Sequence, residues 1–493
     1  VILRGFDPRR RHLLRLLAGA GASALLPACG SSSSGSANAK PIGRVLIVGA
    51  GMAGLTAANA LRNAGVECVV IEARDRIGGR LWTRDVGGLA VDFGGSWIHD
   101  AAGNPMSDFA DRCGVARTPV DPTNDLVSIH AYDERTGELL PPEILHAFAG
   151  YEGFEETAST WLNQVGPDAS MKDGIEAYYA IAGNAMLPDQ RRRAEHVTRY
   201  IHETFDAADW DAVSFYYDVN SPIDSYGGSE FGDFPDGGYT QLVNAMAGHS
   251  NVKLGHRVTR IRYDADGVHV DAETASGPVS FDGTHAIVTL PLGVLKAGDV
   301  AFDPPLPDAK LGAIQRLGYG HFEKVALRFA RPFWEDGTPK RSHFYFLSAD
   351  PQQPMEFPFF LDLQKSFGQP VLVGLVSAGF AERFVTLTPD QIETRVLAIL
   401  REAYGGSVPD PTQMMTSAWG VDPFSHGSYS YIAVGSTPGD MDQLGEPVGE
   451  RLLFAGEATY KQRYGYADGA LSSALREVNR LLGTNDAAVT PNG

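Results

Sequence analysis

Residues 44–80 read RVLIVGAGMAGLTAANALRNAGVECVVIEARDRIGGR, and this stretch decides the fold. The apolar run Val45, Leu46, Ile47, Val48 is short, β-branched and unalternated, the pattern of a parallel strand buried on both faces. Gly49, Gly51 and Gly54 follow in Gly-x-Gly-x-x-Gly spacing. The first permits a tight turn, the second a close backbone approach to a pyrophosphate, and the third close contact between helix and strand. The next segment, 52–64, opens with Met52 and Ala53 and carries Ala57, Ala58 and Ala60, so it predicts a helix that packs closely. Its N-terminus offers unpaired N–H groups and partial positive charge to phosphates. A second strand over 68–71 delivers Glu72 about 20 residues beyond the turn, where a carboxylate accepts from ribose hydroxyls. That carboxylate would repel a 2′-phosphate, which argues against NADP. Taken alone, the block specifies an adenine dinucleotide and leaves NAD and FAD both open.

The chain has 493 residues, enough for two or more domains, with 43% hydrophobic and 20% charged residues in an ordinary globular mix. Its net charge of −19 argues against a nucleic-acid partner, which would need basic patches. The same charge suits a small cationic substrate drawn by long-range attraction, or serves solubility alone. Cys29, Cys68 and Cys113 have spacings that suggest neither a metal site nor a disulfide framework.

Residues 1–41 read as targeting sequence. Arg9, Arg10 and Arg11 precede a short apolar stretch, as in an export signal, and Arg10-Arg11-x-Leu-Leu-Arg resembles the twin-arginine type. Leu26-Pro27-Ala28-Cys29 resembles a lipoprotein cleavage box, with Cys29 as the lipid anchor, although Pro27 departs from the usual small residue. A Ser/Gly tether follows over 31–39. Loss of residues 1–28, with five arginines and one aspartate, would take the net charge from −19 to −23. The reading predicts a periplasmic or cell-envelope protein; an unprocessed N-terminus is the alternative.

Helical patterns are predicted over 173–185, 191–205, 240–247, 389–404 and 469–482. Strands are predicted over 257–263, 268–273, 285–290, 322–330, 343–347 and 371–377, and the segment 451–457 returns to a buried strand and glycine turn. Chain ends that resemble one domain, around a different middle, suggest a cofactor domain interrupted by a substrate domain.

Several ordered segments carry a wider resemblance. They are residues 72–80, then Gly94-Gly95-Ser96-Trp97-Ile98-His99, residues 288–295, Lys324 before its strand, residues 419–431, and Phe454-Ala455-Gly456-Glu457-Ala458-Thr459. Together they resemble the FAD-dependent amine oxidase family, which includes monoamine oxidases, polyamine oxidases and lysine-specific histone demethylases. The resemblance implies an α/β fold, with a Rossmann-like, glutathione-reductase-like FAD-binding domain interrupted by an α+β substrate-binding domain with a mixed sheet. The FAD domain is expected over 42–120, 230–310 and 415–485, the substrate domain over 121–229 and 311–414, and a disordered tail over 486–493.

Residue by residue, the resemblance puts the FAD pyrophosphate at Gly49–Gly54 and Arg80, with Ala73, Arg74 and Gly79 in the same block. It puts ribose on Glu72, the adenine edge on the backbone of Val258, and the isoalloxazine near Gly95, Ser96 and Trp97. Glu457 would approach the ribityl-pyrophosphate region and the backbone at Ala467 the flavin ring. Trp419 would pack beside the flavin or serve structure alone. Ser428 stands where monoamine oxidases carry the flavin-linking cysteine, so non-covalent FAD is expected.

The resemblance makes Lys324 the residue that holds a water at flavin N5, and a buried cation there would help O₂ accept electrons. Tyr429 and Tyr466 match the aromatic pair that flanks the substrate amine. An aromatic cage disfavours the charged ammonium and orients the nitrogen lone pair. His99 would bond a substrate nitrogen or cap a loop. Asp100, in place of the glycine common after that histidine, would bind a distal ammonium or lie in a solvated turn. The segments 97–105 and 422–431 look more like polyamine oxidases than monoamine oxidases. The expected reaction converts amine to imine, then aldehyde, with O₂ reduced to H₂O₂. An L-amino acid oxidase is one rival and would need an arginine clamp, for which Arg328 and Arg383 are candidates. A monoamine oxidase, a flavin dehydrogenase or desaturase that makes no peroxide, and a non-enzymatic flavin-binding module are the others.

Overall fold

The computed structural model describes residues 42–119, 142–227, 232–334, 343–345 and 356–491. The expected export signal, the tether and Cys29 lie outside these residues.

A five-stranded parallel sheet forms the centre of the cofactor region. Its order is Leu452–Phe454, His285–Val288, Val45–Val48, Cys68–Ile71 and Val252–Lys253, drawn from widely separated parts of the chain. Both faces are covered, as the unalternated apolar runs require. Val45 and Ile47 enter one core with the helix Met52–Asn63, whereas Leu46 and Val48 enter a second on the opposite face. The helix Ala467–Leu482 lies against Met52–Asn63, so the last helix supports the first. The tail is not disordered over 486–491. Val489 is buried, Thr490 N donates to Asn59 Oδ1 at 3.0 Å, and Asn59 Nδ2 donates to Thr490 O at 2.9 Å.

A second five-stranded sheet runs His343–Tyr345, Phe359–Asp362, Val371–Ser377, Phe322–Arg328 and Gln413–Thr416. The expected mixed pairing is not found here: its described strands all pair antiparallel, with Phe322–Arg328 set between the later strands Val371–Ser377 and Gln413–Thr416. Mixed pairing occurs instead in the four-stranded sheet of residues 257–303, where Ala301–Asp303 joins Arg257–Tyr263 in parallel. In Phe322–Arg328, Lys324 and Ala326 share the face opposite Val325, and Lys324 points towards Gly94 and Ser96 of the cofactor region.

A helical group comprises Pro142–Val165, Met171–Ile181, Pro188–Asp206 and Phe215–Val219. Met171–Ile181 begins two residues earlier than the pattern predicts. Ser170 accepts from Asp173 N while the Asp173 carboxylate accepts from Ser170 N, a reciprocal cap. Residues 182–185, predicted as part of that helix, tighten into a 3₁₀ turn. Pro188 at the first helical position moves the start of the next helix ahead of 191. The group closes around Phe154, Tyr178, Tyr179 and Phe215, with Phe154 stacked on Phe215 at 5.7 Å.

Candidate active site

One cavity of about 1430 Å³ runs from the glycine-rich turn to the helical group. At one end it is lined by Gly49, Gly51, Met52, Ala53, Glu72, Ala73, Arg74, Gly79, Arg80 and Val258. Glu72 is buried at the end of its strand; one carboxylate oxygen accepts from Ala50 N at 2.6 Å and the other from Arg74 N at 2.8 Å. These bonds fix its orientation, while burial raises its pKa. A Cβ on Gly51 would meet nothing, so the backbone is bare towards the cavity. Gly54 does not line the cavity. A Cβ there would overlap the Gly49 carbonyl oxygen, so this third glycine serves helix–strand contact alone.

Arg80 and Glu457 line the middle of the cavity. Arg80 Nη1 donates to Glu457 Oε1 and to Ser428 O, each at 2.8 Å, and its pKa is raised by Glu457 and Tyr319 against the cost of burial. Glu457 Oε2 accepts from Ser430 Oγ and Gly465 N. Arg74 pairs with Asp422 at 2.5 Å and lies over Trp419. Trp419 lines the cavity and donates Nε1–H to Phe93 O at 2.8 Å, so the indole is both anchored and presented.

Gly95, Ser96, Trp97 and Lys324 meet next. Lys324 is buried, and its Nζ donates to Gly94 O and Ser96 Oγ at 2.5 Å and Asp92 O at 3.3 Å. Burial pulls its pKa down to about 8, opposed by the Asp92 carboxylate. Burial also lifts Asp92 to about 6, against its bonds from Thr83 Oγ1 and Tyr239 N and the nearby Lys324. No local sequence pattern marks Asp92 as the partner. Glu323, next to Lys324, is likewise unmarked by any local pattern. It accepts from Ser417 Oγ at 2.5 Å and Gly420 N at 2.8 Å, which ties the lysine strand to the Trp419 turn.

Tyr429, Tyr466, Ala467 and His99 line the cavity beyond the lysine. His99 meets Tyr466 edge-on at 4.7 Å and Trp97 at 5.5 Å. Tyr429 donates from its hydroxyl to Phe205 O at 3.0 Å; burial first and the charge of Asp206 second push its pKa well up. Asp100 lines the cavity with its side chain part-buried. It accepts from Arg463 Nη1 at 2.7 Å and from Ser225 Oγ, with a backbone φ of 46° suited to the glycine it replaces. Arg463 went unnoticed in the sequence; no local pattern marks it. Neither Arg328 nor Arg383 lines the cavity, and Arg328 instead donates to Val86 O and Gln369 Oε1.

The far wall, built by the helical group and the loop after it, carries Glu152, Glu155, Glu156, Asp206, Asp218 and Asp224. His202 sits among them, with Nε2 3.1 Å from Glu155 Oε1. Ligand atoms of His202, Asp206 and Asp218 lie within 4.8 Å of one another. Cys68 and Cys113 do not line the cavity.

A glycine cradle continuous with an aromatic-lined cavity and a buried lysine defines a dinucleotide-dependent oxidoreductase. Residues 52–482 match the flavin containing amine oxidoreductases, and the chain belongs to that family, whose cofactor is FAD. Bare backbone at Gly51, Glu72 at its strand end and the helix start at Met52 fit FAD. Among curated proteins, the chain is 35% identical over 459 residues to "Lysine-specific histone demethylase 1 homolog 1" of Arabidopsis thaliana, covering 89% of this chain and 52% of that protein. It is 34% identical over 450 residues to "Protein FLOWERING LOCUS D" of the same plant, covering 89% and 55%. The chain thus spans about half the length of these relatives. The fold is that of putrescine oxidase bound to putrescine (TM-score 0.70, 20% identity, 90% of this chain and 99% of that one). It is also that of cyclohexylamine oxidase from Brevibacterium oxydans (TM-score 0.69, 23% identity, 90% and 99%).

Proposed function

We propose that this chain is an FAD-dependent oxidase of small aliphatic amines that carry a second cationic group, polyamines foremost, and that it releases H₂O₂. The observation that carries this reading is the cavity itself. It joins the dinucleotide cradle to Lys324, Tyr429, Tyr466 and His99, and it ends in a wall of six carboxylates. FAD, when bound, would supply the hydride acceptor for the amine α-carbon and the route for electrons to O₂. The chain's own groups do the rest. The carboxylate wall attracts the distal ammonium. Tyr429 and Tyr466 surround the reacting nitrogen with low-polarity surface, which favours its neutral form and frees the lone pair. His99, held edge-on to Tyr466, offers a ring nitrogen to the amine. Lys324, when protonated, places positive charge where negative charge develops on oxygen. FAD is held without a covalent bond, with Ser428 at the position of the linking cysteine. The amino acid oxidase alternative loses support, because Arg328 and Arg383 are directed elsewhere. Residues 1–41 fit export to the periplasm or cell envelope, with anchoring through Cys29.

The test is a peroxide-release screen with spermine, spermidine, putrescine, tyramine, amino acids and a dimethyl-lysine peptide. Peroxide with the polyamines supports the reading. Turnover of the peptide alone would move the substrate towards that of the demethylase relatives, and flavin reduction without peroxide would make the protein a dehydrogenase.

A further inference from the structure

Arg463 has one of the most deeply buried large side chains in the described protein, at 1% exposure, and it lies at the cavity wall. Burial of a guanidinium is costly unless every donor direction is used. Here Nε donates to Asp468 Oδ2 at 2.7 Å, and Nη1 donates to Asp100 Oδ2 at 2.7 Å and to Asp224 O at 2.8 Å. The guanidinium carbon lies 4.8 Å from the Tyr226 ring centre and 4.3 Å from that of Tyr466. Three separate parts of the chain therefore meet on one planar group: the His99–Asp100 turn, the loop at 224–226, and the start of the final helix. The backbone is equally constrained. Asp224 N donates to Gln462 O, and a Cβ on Gly469 would overlap Arg463 O.

We infer that Arg463 is a positioning residue for amine oxidation, which sets the relative placement of Tyr466 and His99 through the Tyr466 ring face and the Asp100 carboxylate. This rests on the proposed amine oxidation. The guanidinium stacks on Tyr466 and pins the residue that follows His99, so both members of the edge-on pair are fixed from one point. A lysine could keep the charge but not the planar fork or the stack. Asp100 supplies a separable test. With φ at 46°, glycine fits that backbone without strain, so Asp100→Gly deletes the carboxylate and spares the turn.

The experiment compares the parent holoenzyme with Arg463→Lys and Asp100→Gly. Anaerobic stopped flow with a polyamine reads flavin reduction, and oxygen mixing reads reoxidation of dithionite-reduced enzyme. Fluorescence titration reads FAD affinity. Misplacement of the pair predicts flavin reduction slowed by about tenfold to a hundredfold in Arg463→Lys, and less in Asp100→Gly. Reoxidation and FAD affinity stay within about twofold, an asymmetry that a general structural defect would not produce. Equal losses in both half-reactions, or unchanged reduction, overturn the inference. Should no amine reduce the parent flavin, the proposed function fails rather than the positioning. The ring is then read directly, with 3-fluorotyrosine at position 466. A shifted or broadened ¹⁹F line in Arg463→Lys supports the role, and an unchanged line overturns it.

Discussion

Arg80 and Glu457 lie 377 positions apart and meet at 2.8 Å on the cavity wall. The pair joins the extension of the first βα unit to the turn before the last helix, so it closes the cofactor cradle from both ends of the described chain. Glu457 is nearly buried, whereas Arg80 keeps a quarter of its side chain exposed. Removing Glu457 strands the Ser430 hydroxyl and the Gly465 N–H as well as the guanidinium. The cost should be about 2 kcal/mol, less than for a wholly buried pair. Glu457→Ala is expected to weaken FAD binding by about tenfold to a hundredfold at this cost. It should also lower the apoprotein Tm by a few degrees. Fluorescence titration and thermal melts check both.

Two glycines of one motif should fail in opposite ways. Gly51→Ala places a methyl in open cavity, so the apoprotein should melt as the parent does while FAD binding is lost. Gly54→Ala drives a methyl into the Gly49 carbonyl, so it should destabilise the apoprotein by about 3 kcal/mol. Urea melts of FAD-stripped protein separate the two. Equal stability of both variants would contradict the division of labour.

This contrast also shows what could be read in sequence. The cradle was legible because its requirements are local: turn, helix start and acid lie within one βα unit. Lys324, Tyr429 and Glu457 were reachable through family resemblance, since their meaning depends on partners far along the chain. Asp92, Glu323 and Arg463 were not, because each acquires a role only when strands and turns from separate segments meet. The helix Pro142–Val165 is obscured in the sequence for another reason. Gly150 and Gly153 resemble helix breakers, yet they make room for the side chains of Tyr179 and Tyr178 against this helix. Asp100 shows the same dependence on distant partners: it lines the cavity while one of its oxygens accepts from the buried Arg463.

Lys310 gives a pH-dependent stability. It is buried, with Nζ donating to Gln443 O and Leu444 O and lying 4.0 Å from the Phe454 ring centre, and burial lowers its pKa to about 7. The unfolded chain binds this proton up to the ordinary lysine pKa of 10.5, so between pH 7 and 10.5 it holds more protons than the folded chain. Stability from this residue therefore rises with pH across that window. Lys310→Met should remove the rise, so the parent gains on the variant between pH 7 and 10. Urea melts at pH 6.5, 8 and 9.5 measure the difference, and parallel curves throughout would contradict it.

Lys324 should control the oxidative half-reaction. Its ammonium is already bonded to Gly94 O and Ser96 Oγ, so it stands at a fixed point beside the cavity rather than on a mobile arm. Burial lowers its pKa to about 8, so the charged form predominates at pH 7 and is lost as pH rises through that value. Oxygen reduction needs the charge and should slow above pH 8. Flavin reduction needs the neutral amine and should speed up towards the amine pKa, about 9–10 by analogy with lysine. The two half-reactions should thus run in opposite directions with pH, a result that overall turnover would hide. Lys324→Met should slow reoxidation by about a hundredfold, the scale for removal of one preorganised charge, and flatten its pH profile. FAD affinity should change far less, since the pyrophosphate cradle is elsewhere. Stopped-flow reoxidation at pH 6.5 to 9.5 decides the matter, and a parent-like rate in the variant would remove Lys324 from the oxygen step.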